Sequence, residues 1–200
     1  MGSPDRSSDP YVDPQTGVLH NLVGATTPAD LHRAEADLTA VRTIQLRDAG
    51  LVRPTRDAAE VRALHRHVFQ DLFTWAGDYR TIDMSKDGGE FFVPCSLLGR
   101  ALDNVMVQLA ERRWLQGLSR PAFIAALAEF YDDLNSIHPF REGNGRTQRL
   151  YWSRVAFDAG WILDWRPVTG RTLNDVSRRA REDRDLDPLQ AALHRCVRPR

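Results

Sequence analysis

The chain has 200 residues, 42% of them hydrophobic, and carries 27 basic against 27 acidic side chains, so its formal net charge is zero. That length fits one domain with a real core, and the balanced charge excludes a general nucleic-acid binder, which carries a basic excess. Two cysteines, Cys95 and Cys196, make neither a disulfide framework nor a zinc pattern, and neither a secretory segment nor an apolar run of membrane-spanning length is present. The expected setting is therefore a reduced cytoplasm without membrane attachment. Nearly every base is arginine; Lys86 is the only lysine.

Residues 1–10 are polar and rich in Ser, Pro and Asp, and read as a disordered leader or an expression scar. Asp13-Pro14-Gln15-Thr16-Gly17 is a turn, with Pro14 fixing φ and Gly17 free to take positive φ. Thr27 then caps a helix whose first residue is Pro28; Leu31, Ala34, Leu38 and Val41 recur at helical spacing and Gly50 stops it. Thr55 caps a second helix, with Val61, Leu64, Val68 and Leu72 on one face. His65 and His67 lie two apart on it, point different ways and read as packing or surface residues rather than metal ligands. Trp75 and Tyr79 read as core aromatics with a polar handle.

The character changes over about 81–94. Ile82 and Met84 alternate with Thr81, Asp83 and Ser85, a glycine-containing turn follows, and Phe91-Phe92-Val93 closes the segment. Alternation, turn and apolar run predict a short β-hairpin. Pro94 or Ser96 opens a helix carrying Leu98, Leu102, Val105 and Leu109. Ser119 and Pro121 open the next, with Phe123, Leu127, Tyr131 and Leu134 in register. It ends near Ile137, because Pro139 disfavours helix at His138. A further helix starts near Asn144 and packs through Leu150, Tyr151 and Val155. An apolar run from Trp161 to Trp165, a charged helix through Arg178 and Glu182, and a last helix from Asp187 to about Cys196 complete a mainly helical chain without repeats or heptads.

The stretch from His138 to Arg149 concentrates chemistry. A glycine-bounded turn opening a helix aims backbone N–H groups at one point, and the helix dipole adds positive potential there. Gly143 and Gly145 permit backbone that would strain other residues. Arg146 and Arg149, three apart, share a helix face and suit a polyphosphate. Glu142 offers one hard oxygen ligand, fit for a Mg²⁺ that keeps most of its waters. His138 can be neutral near pH 7 and can take a proton. Phe140 is the hydrophobic anchor of the loop.

These residues, His138-Pro-Phe140-Arg-Glu142-Gly143-Asn144-Gly145-Arg146-Thr-Gln-Arg149, resemble the signature of the Fic domain, His-x-Phe-x-(Asp/Glu)-Gly-Asn-Gly-Arg-x-x-Arg, at every specified position. The segments around Tyr11–Asn21 and Phe73–Arg80 resemble the family's entry and its lead-in to a flap. The resemblance implies a Fic-type helical bundle over 11–200 with a short β-hairpin flap, and transfer of AMP from ATP to a Tyr, Thr or Ser hydroxyl of a target protein. It makes His138 the general base and Glu142 the Mg²⁺ ligand. Gly143, Asn144, Gly145 and Arg146 serve the phosphate chain, and Arg149 the γ-phosphate. Ile82, Asp83, Met84 and Ser85 become the flap edge on which a target segment docks as an added strand. For Lys86 the sequence does not decide between nucleotide and target.

Many members of the family restrain themselves with a helix carrying Ser/Thr-x-x-x-Glu-(Gly/Asn), whose Glu pairs with the second arginine. No Ser or Thr here is followed four residues later by Glu; Thr26 with Asp30 comes nearest. The expectation is a toxin held by a small antitoxin that supplies the glutamate in trans, acting in a bacterial cytoplasm or delivered into another cell. Two other readings stand beside it. One is the same fold with another donor (UMP, GMP, phosphocholine) or Doc-like kinase activity, although Doc-like proteins depart from Gly-Asn-Gly-Arg. The other is a non-catalytic module that binds a partner strand on the flap.

Overall fold

The computed structural model describes residues 9–86 and 88–200, apart from the side chain of Asp48. The leader expected over 1–10 thus falls outside the described residues except for Asp9 and Pro10. The described residues fold into seven α-helices and one two-stranded sheet, grouped in two compact units.

The first unit takes the chain to Arg53 and then Arg62–Asp78. Its entry turn is closed by the Val12–Leu19 bridge, and Gly17 takes a φ of 68° there. Helix α1 (Pro28–Ala49) starts and stops as its sequence predicts: the Thr27 hydroxyl accepts the Asp30 N–H, and Gly50 ends the helix in a left-handed conformation. Helix α2 (Ala58–Phe69) begins in the second unit and continues in the first. Its N-cap is Asp57, not the expected Thr55. The Asp57 carboxylate accepts the Glu60 N–H, while the Thr55 hydroxyl only supports that carboxylate. His65 is fully buried, accepting the Gly77 N–H at 2.8 Å and stacking on Phe69. The Nε2 of His67 bonds the Arg42 carbonyl at 3.0 Å, so both histidines are packing residues. The polar handle expected of Trp75 is not used: its Nε1 is buried without an acceptor.

The second unit comprises Pro54–Val61 and Tyr79–Arg200. Helices α3 (Leu98–Glu111), α4 (Arg120–Ile137), α5 (Asn144–Asp158), α6 (Gly170–Asp183) and α7 (Asp187–Cys196) surround a core centred on α4. Phe123, Leu127, Tyr131 and Leu134, the stripe expected from periodicity, are all buried. Tyr151 and Val155 of α5 are buried as well, and Trp152 joins them. Between α3 and α4 the chain turns through Arg113, Trp114 and Leu115, all at positive φ, which places Leu115 fully inside.

The β-structure lies mostly where it was not expected. β1 (Trp161–Leu163) pairs antiparallel with β2 (Val197–Pro199), Leu163 opposite Val197. In the flap the chain does turn back on itself, but the ladder is a single Ser85–Phe91 bridge with a Phe92 N–H bond to the Met84 carbonyl. The groups that would extend it have other partners. The Arg80 guanidinium takes the carbonyls of Ile82 and Val93, and the Val93 N–H goes to the Ser136 carbonyl at 3.0 Å. An arginine and a helix end have replaced strand pairing.

Candidate active site

The site is built where α4 ends and α5 begins. α4 runs out at Ile137 because Pro139 follows, and His138 takes the left-handed C-cap conformation with φ 47°. A non-glycine residue held there is sparsely populated backbone. It is held by Arg80, whose side chain is fully buried. Its guanidinium donates to the carbonyl of His138 at 2.9 Å, to those of Ile82 (2.6 Å) and Ile137 (3.3 Å), and to Val93. The Arg80 N–H also bonds the Pro139 carbonyl at 2.9 Å. The sequence placed Arg80 in the lead-in segment without giving it this role; a buried arginine is visible only once its acceptors converge.

The loop between the helices is closed from within. Phe140 is the expected anchor, 1% exposed. Asn144, nearly buried, clasps it: its Oδ1 accepts the Phe140 N–H at 2.9 Å and its Nδ2 donates to the Phe140 carbonyl at 2.7 Å. The Asn144 side chain is therefore a loop clasp, and what this residue can offer an anion is its backbone N–H. Gly143 has φ 82°, a conformation that needs glycine. Gly145 does not share that reason. It sits in the first turn of α5 without positive φ, and the space where a Cβ would be is open.

A cavity of about 470 Å³ opens over this loop, lined by His138, Glu142, Gly143, Asn144, Gly145, Arg146 and Arg149 from the motif. It thus gathers every polar residue the motif was expected to contribute. Met84, Ser85 and Lys86 of the flap also line it, whereas Ile82 and Asp83 do not. The Asp83 carboxylate instead accepts the Cys95 N–H at 2.7 Å, fastening the base of the flap. The wall formed by Asn174, Asp175, Arg178 and Arg181 of α6 was not foreseen. Its signal was faint: polar residues recurring along a charged helix usually face solvent.

The chemistry of the cavity follows from its charges. Lys86, Arg146, Arg149, Arg178 and Arg181 meet there with Glu142 as the motif's carboxylate, an arrangement suited to a polyanion. The Glu142 Oε1 accepts the Gly143 N–H at 2.8 Å and lies 3.5 Å from Arg146, and its side chain remains 45% exposed to the cavity. No cluster of three or more metal-ligating side chains exists among the described residues. A Mg²⁺ bound here would have Glu142 and phosphate oxygens as ligands, which is how that ion is ordinarily held.

His138 keeps part of its surface open to the cavity, while its Nδ1 is buried and makes no hydrogen bond. Burial is the main cause that pushes its imidazole down to about 3; the nearby Asn135 carbonyl opposes this, and the cations Lys86, Arg80 and Arg181 add to it. The ring is therefore neutral at pH 7. Anionic phosphates in the cavity would raise its basicity again.

The fold and site define a helical domain with a neutral histidine facing an anion cradle at a helix N-terminus. Residues 55–155 match the family model of the Fic/DOC family, and the chain belongs to that family. It is 34% identical over 171 residues to the protein adenylyltransferase VbhT of Bartonella schoenbuchensis, covering 86% of this chain and 35% of that protein. The chain thus spans about a third of that relative's length. It is 30% identical over 189 residues to the "Probable protein adenylyltransferase Fic" of Salmonella typhimurium, with 94% and 92% covered. Among solved structures, the N-terminal Fic domain of a Bartonella quintana VirB-translocated Bep effector with bound ADP superposes with a TM-score of 0.90. It has 28% identity, and 95% of each chain is covered. No helix among the described residues is long and apolar enough to cross a membrane.

Proposed function

We propose that the chain transfers AMP from ATP to a hydroxyl side chain of a target protein. The observation that carries this reading is a neutral His138 sharing one cationic cavity with the α5 N-terminus. The names of the relatives and the ADP in the Bartonella quintana structure support it. His138 takes the proton of the target hydroxyl as that oxygen attacks the α-phosphorus, and pyrophosphate leaves in line. The backbone N–H groups of Asn144 and Gly145, with Arg146, meet the charge that grows on the phosphate oxygens. Arg149 binds the end of the phosphate chain. Glu142 would hold a Mg²⁺, which neutralises phosphate charge when bound. Met84 and Ser85 present the flap edge to the target backbone.

Purified protein, incubated with cell lysate and ATP labelled at the α- or the γ-phosphate, tests the reaction. Label entering protein from the α position alone, and lost in His138→Ala by about 10²–10⁴-fold, is expected. Label from γ alone would instead mean phosphorylation.

Within these 200 residues no Ser or Thr precedes a Glu by four positions. We therefore infer that the activity is restrained in trans by a small antitoxin whose glutamate pairs with Arg149. Growth arrest on expression of the chain, relieved by the neighbouring small reading frame and absent for His138→Ala, is the expected outcome. Harmless expression of an active protein would refute it.

A further inference from the structure

The α6 helix does more than wall the cavity. At its C-terminal end the Glu182 carboxylate accepts from Arg178 at 3.2 Å, from Arg181 at 2.9 Å and from the backbone N–H of Glu90 in the flap. Gly89, the neighbouring flap residue, lies so close to Glu182 that a Cβ there would collide with the carboxylate Oε1. Its φ is not in the left-handed region, so what a side chain there would disturb is the Glu182 carboxylate, which would have to move aside. Three residues beyond Gly89 the chain delivers Phe92 into the interior, 3% exposed, while Phe91 stays outside at 66%. The Phe92 ring receives the guanidinium of Arg181, 4.3 Å from its centroid. The ring also lies flat on the imidazole of His138, with centroids 3.9 Å apart and planes 11° from parallel.

From this we propose that Glu182 is a positioning residue: it latches the flap turn and orients Arg181, so that Phe92 fixes the plane of the His138 ring. The device rests on the reading of His138 as the base. Glu182 and Gly89 do not line the cavity. The consequence is a coupling between the surface that docks the target and the group that takes its proton. A flap that is not seated leaves His138 free to rotate, and an imidazole aimed away from the attacking oxygen is an ineffective base. The arrangement also explains why two arginines directed at the cavity are bridged by a carboxylate behind it. Glu182 holds them in fixed geometry instead of letting them follow the ligand.

The test uses the full chain with Glu182→Ala and Gly89→Ala, which loosen the latch from its two sides. The first readout is the ¹H–¹³C spectrum of the His138 ring, whose protons are shifted upfield by the stacked Phe92 and are assigned from Phe92→Leu. Both variants should move these resonances toward the Phe92→Leu position. The second readout is steady-state transfer: kcat should fall about 10- to 100-fold, by more than the KM for ATP changes. Unmoved His138 resonances in Glu182→Ala would overturn the proposal, as would a rise in the KM for ATP with kcat intact, which would mark a nucleotide contact. Should Gly89→Ala fail to fold, Glu182→Gln takes its place, since it keeps the volume and removes the charge that orients both arginines. If the wild type transfers nothing, the reading of the function fails, whereas the spectrum still decides whether the latch orients the ring.

Discussion

Replacing Arg80 by Met should be among the most damaging single changes outside the motif. The Arg80 side chain is fully buried and donates to four backbone carbonyls, those of Ile82, Val93, Ile137 and His138. Met fills much of the volume but donates nothing. Each buried carbonyl left without a donor costs about 1–3 kcal/mol, since its desolvation is no longer compensated. Against that, the variant no longer buries a cation, which offsets part of the loss. The net destabilisation should be about 3–5 kcal/mol, a large share of the roughly 5–15 kcal/mol that holds a typical domain. Arg80→Lys should lose less, about 2 kcal/mol, because an ammonium has three donors but not the planar reach to span acceptors on the flap and the motif loop. Urea denaturation followed by circular dichroism measures this as a lowered midpoint at unchanged slope. A loss below about 1 kcal/mol for Arg80→Met would refute the reasoning, because it would mean that water or relaxation satisfies those carbonyls.

Three further outcomes are expected. The His138 imidazole binds a proton at its ordinary value in the unfolded chain but only near about 3 when folded. The unfolded state therefore binds more protons between those values, and stability should fall as pH drops through that window. His138→Gln should remove this component, which urea midpoints taken from pH 7 to pH 4 would show. Asp132 has an unpartnered, buried Oδ1, and burial, with Asp133, pushes its carboxyl up to about 6. Asp132→Asn should then stabilise the protein by about 1 kcal/mol above pH 6, an advantage that vanishes as the pH falls below the unfolded carboxyl's value; equal midpoints at pH 7.5 would refute it. Phe140→Ala, at a fully buried anchor, should cost about 3–5 kcal/mol in thermal or urea unfolding; it keeps the backbone groups that Asn144 clasps but removes the ring that seats the loop, so activity should fall as well.

The sequence by itself determined the helices and the motif, because both are carried by local signals. Thr27, Pro28 and Gly50 bound α1 through capping and φ preferences that act over a few residues. The stripe from Phe123 to Leu134 buries the face that its spacing marks out. Pro139 ends α4 where it stands, so His138 lies at a helix end and the cradle opens α5. What only the tertiary structure decided are the partnerships between distant segments. Arg80 shortens the flap's ladder by taking its carbonyls, so the hairpin that alternation in Ile82–Ser85 predicts is held by a single bridge. β1 and β2 are 3 residues each and meet only because α7 returns the chain to Trp161. The left-handed turn at Arg113–Leu115 has no glycine to announce it; burial of Leu115 is what holds it. The carboxylate of Glu182 behind the flap and the Phe92 ring on His138 have no signature along the chain. They arise from packing across some 50–90 positions, and such contacts become specific only when the core has fixed the elements that bear them.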